Sequence, residues 1–201
     1  LALSGFSYDR MEEAAQFSRK AIEEIQELSK DKTIALTFIT KEENKFFNTL
    51  YIFHHQQIIH TQSKVKLFPL GNELEYFSAG KEEDIKIIEI NGLKIATLIC
   101  FELRFPQLWE KVKGADIILN PAMWGIKRKD HYESISKALA LVSQCFVIAC
   151  NSADENMAKG SAIINPFGIV KKDDSKEIIE DFFDLNEIKK VRTYINIGLD
   201  R

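Results

Sequence analysis

A layered α/β sandwich is the fold class that this sequence predicts, on three observations. Strand-like segments follow one another through short polar turns in the first third of the chain, the pattern of antiparallel pairing. From about residue 85 onward, short apolar strands alternate with helical stretches, which brings in parallel pairing. The 201 residues are 45% hydrophobic with a net charge of -3, enough for one large domain with a real core.

The elements read in order as follows. Leu1 to Gly5 has the look of the end of a buried strand, which implies sequence upstream of Leu1. Asp9 with Glu12 three residues on matches a capping box. A helical stripe of Met11, Ala14, Ala15, Ile22, Ile25 and Leu28 follows. Residues 33–40 form a strand, Glu43-Asn44 a turn, and 46–53 and 57–61 two more strands joined through His54 to Gln56. Residues 63–80 make a long loop, a place where function is often found. Residues 85–90 and 93–99 flank Asn91-Gly92, the strongest short hairpin signal. A helix over 106–112 starts on Pro106 and ends at Gly114. Residues 115–119 form a strand, 120–129 a loop, and 130–144 a helix capped by Asp130. A buried strand over 145–150 precedes a hairpin of 161–165 and 169–171 around Pro166-Phe167-Gly168. A strand over 177–182 comes next, and Asp184 caps a final helix through Val191.

Composition narrows the function classes. Acidic and basic residues are mixed, and no basic block points to nucleic acid. No apolar run is long enough to cross a membrane as a helix, and nothing resembles a signal peptide. Three cysteines, at 100, 145 and 150, do not make a disulfide framework, which favours a reducing cytoplasm. The four histidines have no metal-ligand spacing, so neither a metal nor another cofactor is expected.

The chemistry centres on Cys100. The strand over 93–99 is nearly free of charge on both faces from Ile95 on, as in a strand covered on two sides. Cys100 stands where that strand ends and a loop begins, the usual place for a reactive group on a rigid scaffold. A buried packing thiol is the alternative reading. A free thiol has a pKa near ~8.5 and needs a base or a positive neighbour to act as a nucleophile. No papain-like cysteine–histidine signature is present. A carboxylate base with a nearby ammonium meets the need, and the ammonium also holds the oxyanion formed on a carbonyl. Most lysines are solvated, so Lys64 alone has no special claim to that role.

Ser63-Lys64-Val65-Lys66-Leu67-Phe68-Pro69, then Asn72-Glu73 with Gly80, then Ile99-Cys100-Phe101-Glu102-Leu103-Arg104-Phe105-Pro106 resemble the nitrilase superfamily of carbon–nitrogen hydrolases. Asn120-Pro121, Arg128 with His131-Tyr132, Val147 to Asn151 and Ile164-Asn165-Pro166 with Gly168 fall in the same order as in that family. The likeness covers nearly the whole chain. It implies a four-layer αββα sandwich and a glutamate–lysine–cysteine triad, in a single carbon–nitrogen hydrolase domain over residues 1–201. Carried over residue by residue, Cys100 is the nucleophile, Lys64 the triad lysine and Glu73 an additional active-site glutamate. The Phe101 N–H is an oxyanion donor, and Arg104 supports the loop after the cysteine. The family's general-base glutamate falls upstream of Leu1, and the first strand–helix–strand portion is missing. The 201-residue chain is therefore expected to be weak or inactive.

Trp124, Arg128 and His131 are similar to a substrate loop of ω-amidase-like members, which cut the side-chain amide of small keto-acid amides. Arg128 is then a bidentate clamp for a substrate carboxylate, or else a solvated loop arginine. The family habit of pairing through helices implies a homo-oligomer. Lys66 stands where the family usually has histidine and competes with Lys64. Glu75 competes with Glu73. Leu139, Val142 and Ser143 replace polar residues of the family pattern. Cys145 and Cys150 read as packing residues. A non-catalytic assembly or binding module on the same fold is the rival hypothesis.

Overall fold

The computed structural model describes residues 1–199. Their contacts divide into two compact units, Leu1–Asp84 and Ile85–Arg201, of which the second is described through Leu199.

The first unit is one helix on an antiparallel sheet. Helix α1 (Met11–Leu28) is followed by β1 (Thr33–Glu42), β2 (Lys45–His54) and β3 (Gln57–Ser63), paired in the order β1-β2-β3. His55 and Gln56 both have positive φ, 48° and 60°, which gives the β2–β3 turn the twist that tight hairpins prefer. Met11, Ala14, Ala15, Ser18 and Ala21 form the buried face of α1. Small residues let the helix sit close to the sheet. Ile22 and Ile25 pack at its far end around Phe38 and Phe53, while Leu28, expected in the stripe, is exposed.

Two expectations at the start of the chain are corrected. Residues 1–5 run as turns, not as a strand end. Leu1 is nonetheless buried, and the Ala2 N–H donates to Thr37 O at 2.9 Å. Asp9 makes no capping hydrogen bond. The chain enters α1 through a 3₁₀ turn, Tyr8–Arg10, in which the Arg10 N–H already bonds Ser7 O at 3.0 Å.

After β3 the chain makes a 3₁₀ turn at Pro69–Gly71 and one helical turn, α2 (Glu73–Tyr76). An aromatic cluster pins this loop. Tyr8 stacks on Tyr76 with ring centroids 4.3 Å apart, its hydroxyl donates to Gly71 O at 2.6 Å, and Phe77 is buried below. Gly80 then passes so close to the end of β3 that a Cβ there would lie 2.2 Å from Ser63 O. That oxygen is backbone and has no rotamer to escape into. Gly80→Ala is therefore expected to destabilise by about 1–3 kcal/mol or more, read as a lower urea midpoint. An unchanged midpoint would refute the close approach.

The second unit is a six-stranded mixed sheet in the order β4-β5-β6-β7-β8-β9. β4 (Ile88–Ile90) and β5 (Leu93–Thr97) form the expected hairpin, with φ of 52° at Asn91 and 78° at Gly92. A 3₁₀ turn at Cys100–Arg104 leads into α3 (Pro106–Trp109), and Gly114 ends that stretch at φ 94°. β6 (Ile117–Pro121) runs parallel to β5, and β7 (Phe146–Cys150) parallel to β6. Between them lies α4 (Lys129–Ser143). β8 (Ala162–Ile164) and β9 (Val170–Lys172) close the sheet antiparallel. α5 (Asn186–Tyr194) is last; its N-cap is Leu185, and Asp184, expected to cap it, stands one residue earlier and accepts the Asn186 N–H at 3.0 Å.

Three further expectations are corrected here. Asp130 lies inside the first turn of α4 and makes no cap, because the helix starts from a 3₁₀ turn at Ile126–Arg128. Residues 177–182 form no strand. Cys150, placed in packing by the sequence, is exposed at the end of β7, whereas Cys145 is fully buried. Leu139 and Ser143 are buried on the inner face of α4, and Val142 faces outward.

Candidate active site

In the first unit the site residues are Lys64 and Glu73. Lys64 extends β3 by one residue, its N–H bonded to Asn48 O at 2.8 Å and its carbonyl to the Gly80 N–H at 2.9 Å. Its side chain is completely buried. A left-handed Asn72, φ 57°, turns the chain so that Glu73 points back. Lys64 Nζ donates to both carboxylate oxygens, at 2.7 and 2.6 Å. Glu73 Oε2 also accepts the Phe68 N–H at 2.8 Å, and Glu73 is only 1% exposed. Burying both charges is costly, and mutual neutralisation with full hydrogen bonding is what makes it tolerable. The rivals are elsewhere: Lys66 pairs with Glu82 at 2.6 Å at the surface, and Glu75 is exposed.

In the second unit the site is built at the carboxyl ends of β5, β6 and β7. Cys100 is half-buried and adopts φ 52°. A left-handed conformation is uncommon for a residue with a Cβ, costs roughly 1–2 kcal/mol, and clusters at functional positions. Glu102 secures it. Its carboxylate, fully buried, accepts the Ile99 N–H at 2.6 Å, while its own N–H donates to Ile99 O at 3.0 Å. Cys100 is thereby held between two residues locked to each other. Sequence reasoning did not single out Glu102, although its position three residues after the strand end is the capping-box spacing that signals such a lock.

Arg104, Trp124 and His131 come together. The Arg104 guanidinium lies 4.6 Å from the Trp124 ring centroid, a cation–π distance, and its Nη2 is 2.8 Å from His131 Nδ1. Burial, followed by the nearby Arg128 charge, lowers the Arg104 pKa. Arg128 lies alongside, its Nη2 against Gly125. Trp124 is nearly buried, and Asn151 fixes its backbone: the Trp124 N–H donates to Asn151 Oδ1 at 2.7 Å. Tyr132 follows His131 in the first turn of α4. It is fully buried, and desolvation, then the charges of Cys150 and Cys100, pushes its pKa well up. It therefore stays a neutral donor, directed at Asn120 O at 3.4 Å. Phe101 follows Cys100 directly in the 3₁₀ turn. Among the described residues no group of acidic residues, cysteines and histidines is arranged to hold a metal ion.

Two units of this construction, one with a buried lysine–glutamate pair and one with a strand-end cysteine in a left-handed turn, call for comparison with known proteins. The carbon–nitrogen hydrolase family model matches residues 1–193, and the chain belongs to that family, the nitrilase superfamily. Among curated proteins it is 36% identical over 173 residues to a 2-oxoglutaramate amidase of Bacillus subtilis (strain 168), covering 82% of this chain and 66% of that one. It is 32% identical over 163 residues to a hydrolase in the agr operon of Staphylococcus aureus, covering 77% and 62%. The chain thus spans about two thirds, or slightly less, of those relatives. Nit3 of Saccharomyces cerevisiae, a nitrilase-superfamily member, shares the fold with a TM-score of 0.80 at 22% identity, over 96% of this chain and 77% of that one.

Proposed function

We propose that this chain carries out amide hydrolysis by acyl transfer, with Cys100 as the nucleophile. The observation that supports this most is the conformation of Cys100: a strand-end thiol in a left-handed backbone, in a 3₁₀ turn locked by Glu102 onto Ile99. In the proposed reaction a base takes the thiol proton and sulfur bonds to the amide carbon. Lys64 and the Phe101 N–H hold the oxyanion. The carbon–nitrogen bond then breaks, nitrogen leaves with a proton as ammonia, and water hydrolyses the thioester. Glu73 holds the Lys64 Nζ in place through both carboxylate oxygens.

The substrate class we propose is a small amide that also carries a carboxylate, such as 2-oxoglutaramate, the compound in the name of the Bacillus relative. Arg128 is its clamp, beside Trp124 and His131. We place the reaction in the cytoplasm, in keeping with the three free cysteines, with no cofactor and no nucleic acid involved. No helix among the described residues is long and apolar enough to cross a membrane.

The two buried carboxylates in the described residues, Glu73 and Glu102, are both engaged, with Lys64 and with the Ile99 N–H. The test is ammonia release from 2-oxoglutaramate by the chain and by its Cys100→Ala variant. Release by the first and its loss in the second are expected, and no release from either would leave the non-catalytic module as the better reading. We also propose a homo-oligomer. Light scattering that gives the mass of a single chain over a wide concentration range would refute it.

A further inference from the structure

We propose that the cleft between α4 and the β8–β9 hairpin is a second ligand site, and that it takes a small aliphatic monocarboxylate. The cleft encloses about 250 Å³. Its walls include Ala162, Ile164 and Val170 on the sheet and Ser134, Ser136 and Lys137 on the helix. That volume is small for a cofactor and suits a ligand of roughly four to eight heavy atoms.

One buried side chain there lacks a partner that its chemistry requires, and one exposed ammonium beside it makes no ion pair among the described residues. Ser136 is 1% exposed, and its hydroxyl has no hydrogen-bond partner among the described residues. A serine inside a helix commonly back-bonds to the carbonyl four residues earlier. Ser18 does so in α1, to Ala14 O at 2.8 Å. Ser136 lines the cleft without doing so, and a buried hydroxyl is costly until something completes it. Lys137 is the exposed ammonium at the cleft. Its neighbours Lys129 and Lys172 are committed to Glu133, at 3.1 and 2.9 Å, and Lys129 also to Asp174. Lys137 makes no ion pair among the described residues. Its stem runs beside Gly168 of the hairpin turn, with Cε 3.2 Å from the Cβ position there.

Three ammonium groups thus face two carboxylates, and the exposed Lys137 is the one without a carboxylate among the described residues. A single carboxylate matches that charge and accepts from Ser136. The methyl groups of Ala162, Ile164 and Val170 receive a short hydrocarbon tail. α4 also carries His131 and Tyr132 about one turn earlier, so an occupant would bear on the helix that holds two residues of the candidate site. The proposal stands whatever reacts at Cys100.

The experiment is a titration of the methyl-labelled chain with sodium butyrate, followed by NMR at the Ala162 and Ile164 methyls. Saturable shifts at both are expected. Lys137→Met should weaken the response about tenfold, the worth of one hydrogen bond to a charged group. Lys137→Arg should keep most of it, and the methyl spectrum itself reports that each variant is folded. Shifts that do not saturate, shifts identical in Lys137→Met, or shifts confined to the neighbourhood of Trp124 would overturn the site. Inorganic phosphate saturating the same methyls as tightly as butyrate would overturn the ligand class.

Discussion

Lys64→Met is expected to cost about 3–5 kcal/mol of stability, because it leaves the Glu73 carboxylate buried without its cation. Glu73 is only 1% exposed and sits in contact with both the ammonium and the Phe68 N–H. Removing Nζ strips away the stronger partner and leaves the weaker. The readout is a lower urea midpoint at unchanged slope, so that the loss is assigned to stability and not to compactness. Replacing both partners at once, Lys64→Met with Glu73→Leu, is expected to recover most of the loss, since a well-packed apolar pair avoids the desolvation of two ions. A single-variant loss below about 1 kcal/mol, the value of a surface pair, would contradict the burial. The double variant also separates two roles of Lys64: restored stability without restored hydrolysis is the expected pattern for a catalytic lysine.

Cys100→Ala is expected to reduce amide hydrolysis by at least about 10⁴, the scale seen when a nucleophile is removed. The fold should survive, because alanine bears the left-handed backbone no worse than cysteine does. Alkylation gives an independent check. Burial pushes the Cys145 thiol up to about 12, with the Arg192 charge lowering it and Asp116 raising it. Near neutral pH it has almost no thiolate and no access, so it should react only after unfolding. Cys100 should react fastest in the native chain, and Cys150→Ser should leave that rate close to the parent value. Equal labelling of all three cysteines in the native state would remove the argument for a prepared nucleophile.

Legibility of this fold in the sequence followed how local each signal is. Asn91-Gly92 fixed its hairpin because a two-residue turn with both φ positive demands those residue types. The apolar strands and the break at Gly114 were equally local. Capping was misread at Asp9 and Asp130 because in both cases a 3₁₀ turn enters the helix and takes over donors that a side chain would have capped. Residues 177–182 carry strand-like residues but find no ladder. Phe183 instead packs on Phe146, with ring centroids 4.6 Å apart. Cys150 was misplaced because a continuous apolar run gives no mark of where it surfaces.

The site was legible through family resemblance more than through spacing. Lys64 and Glu73 are nine residues apart, and only the left-handed turn at Asn72 brings them together. Arg104 stands apart from Trp124 and His131 in the sequence reading, and its contact with them belongs to the fold alone. Glu102 carries no such mark, because a buried glutamate beside a cysteine reads in sequence as one more charge near a turn.

The backbone at position 100 also limits which side chains evolution can install there. Serine fits that torsion at little added penalty, so an oxygen-for-sulfur exchange is sterically open. Threonine, branched at Cβ, is not. Drift toward hydroxyl chemistry on this scaffold would therefore have to pass through serine, unless the turn itself were rebuilt first.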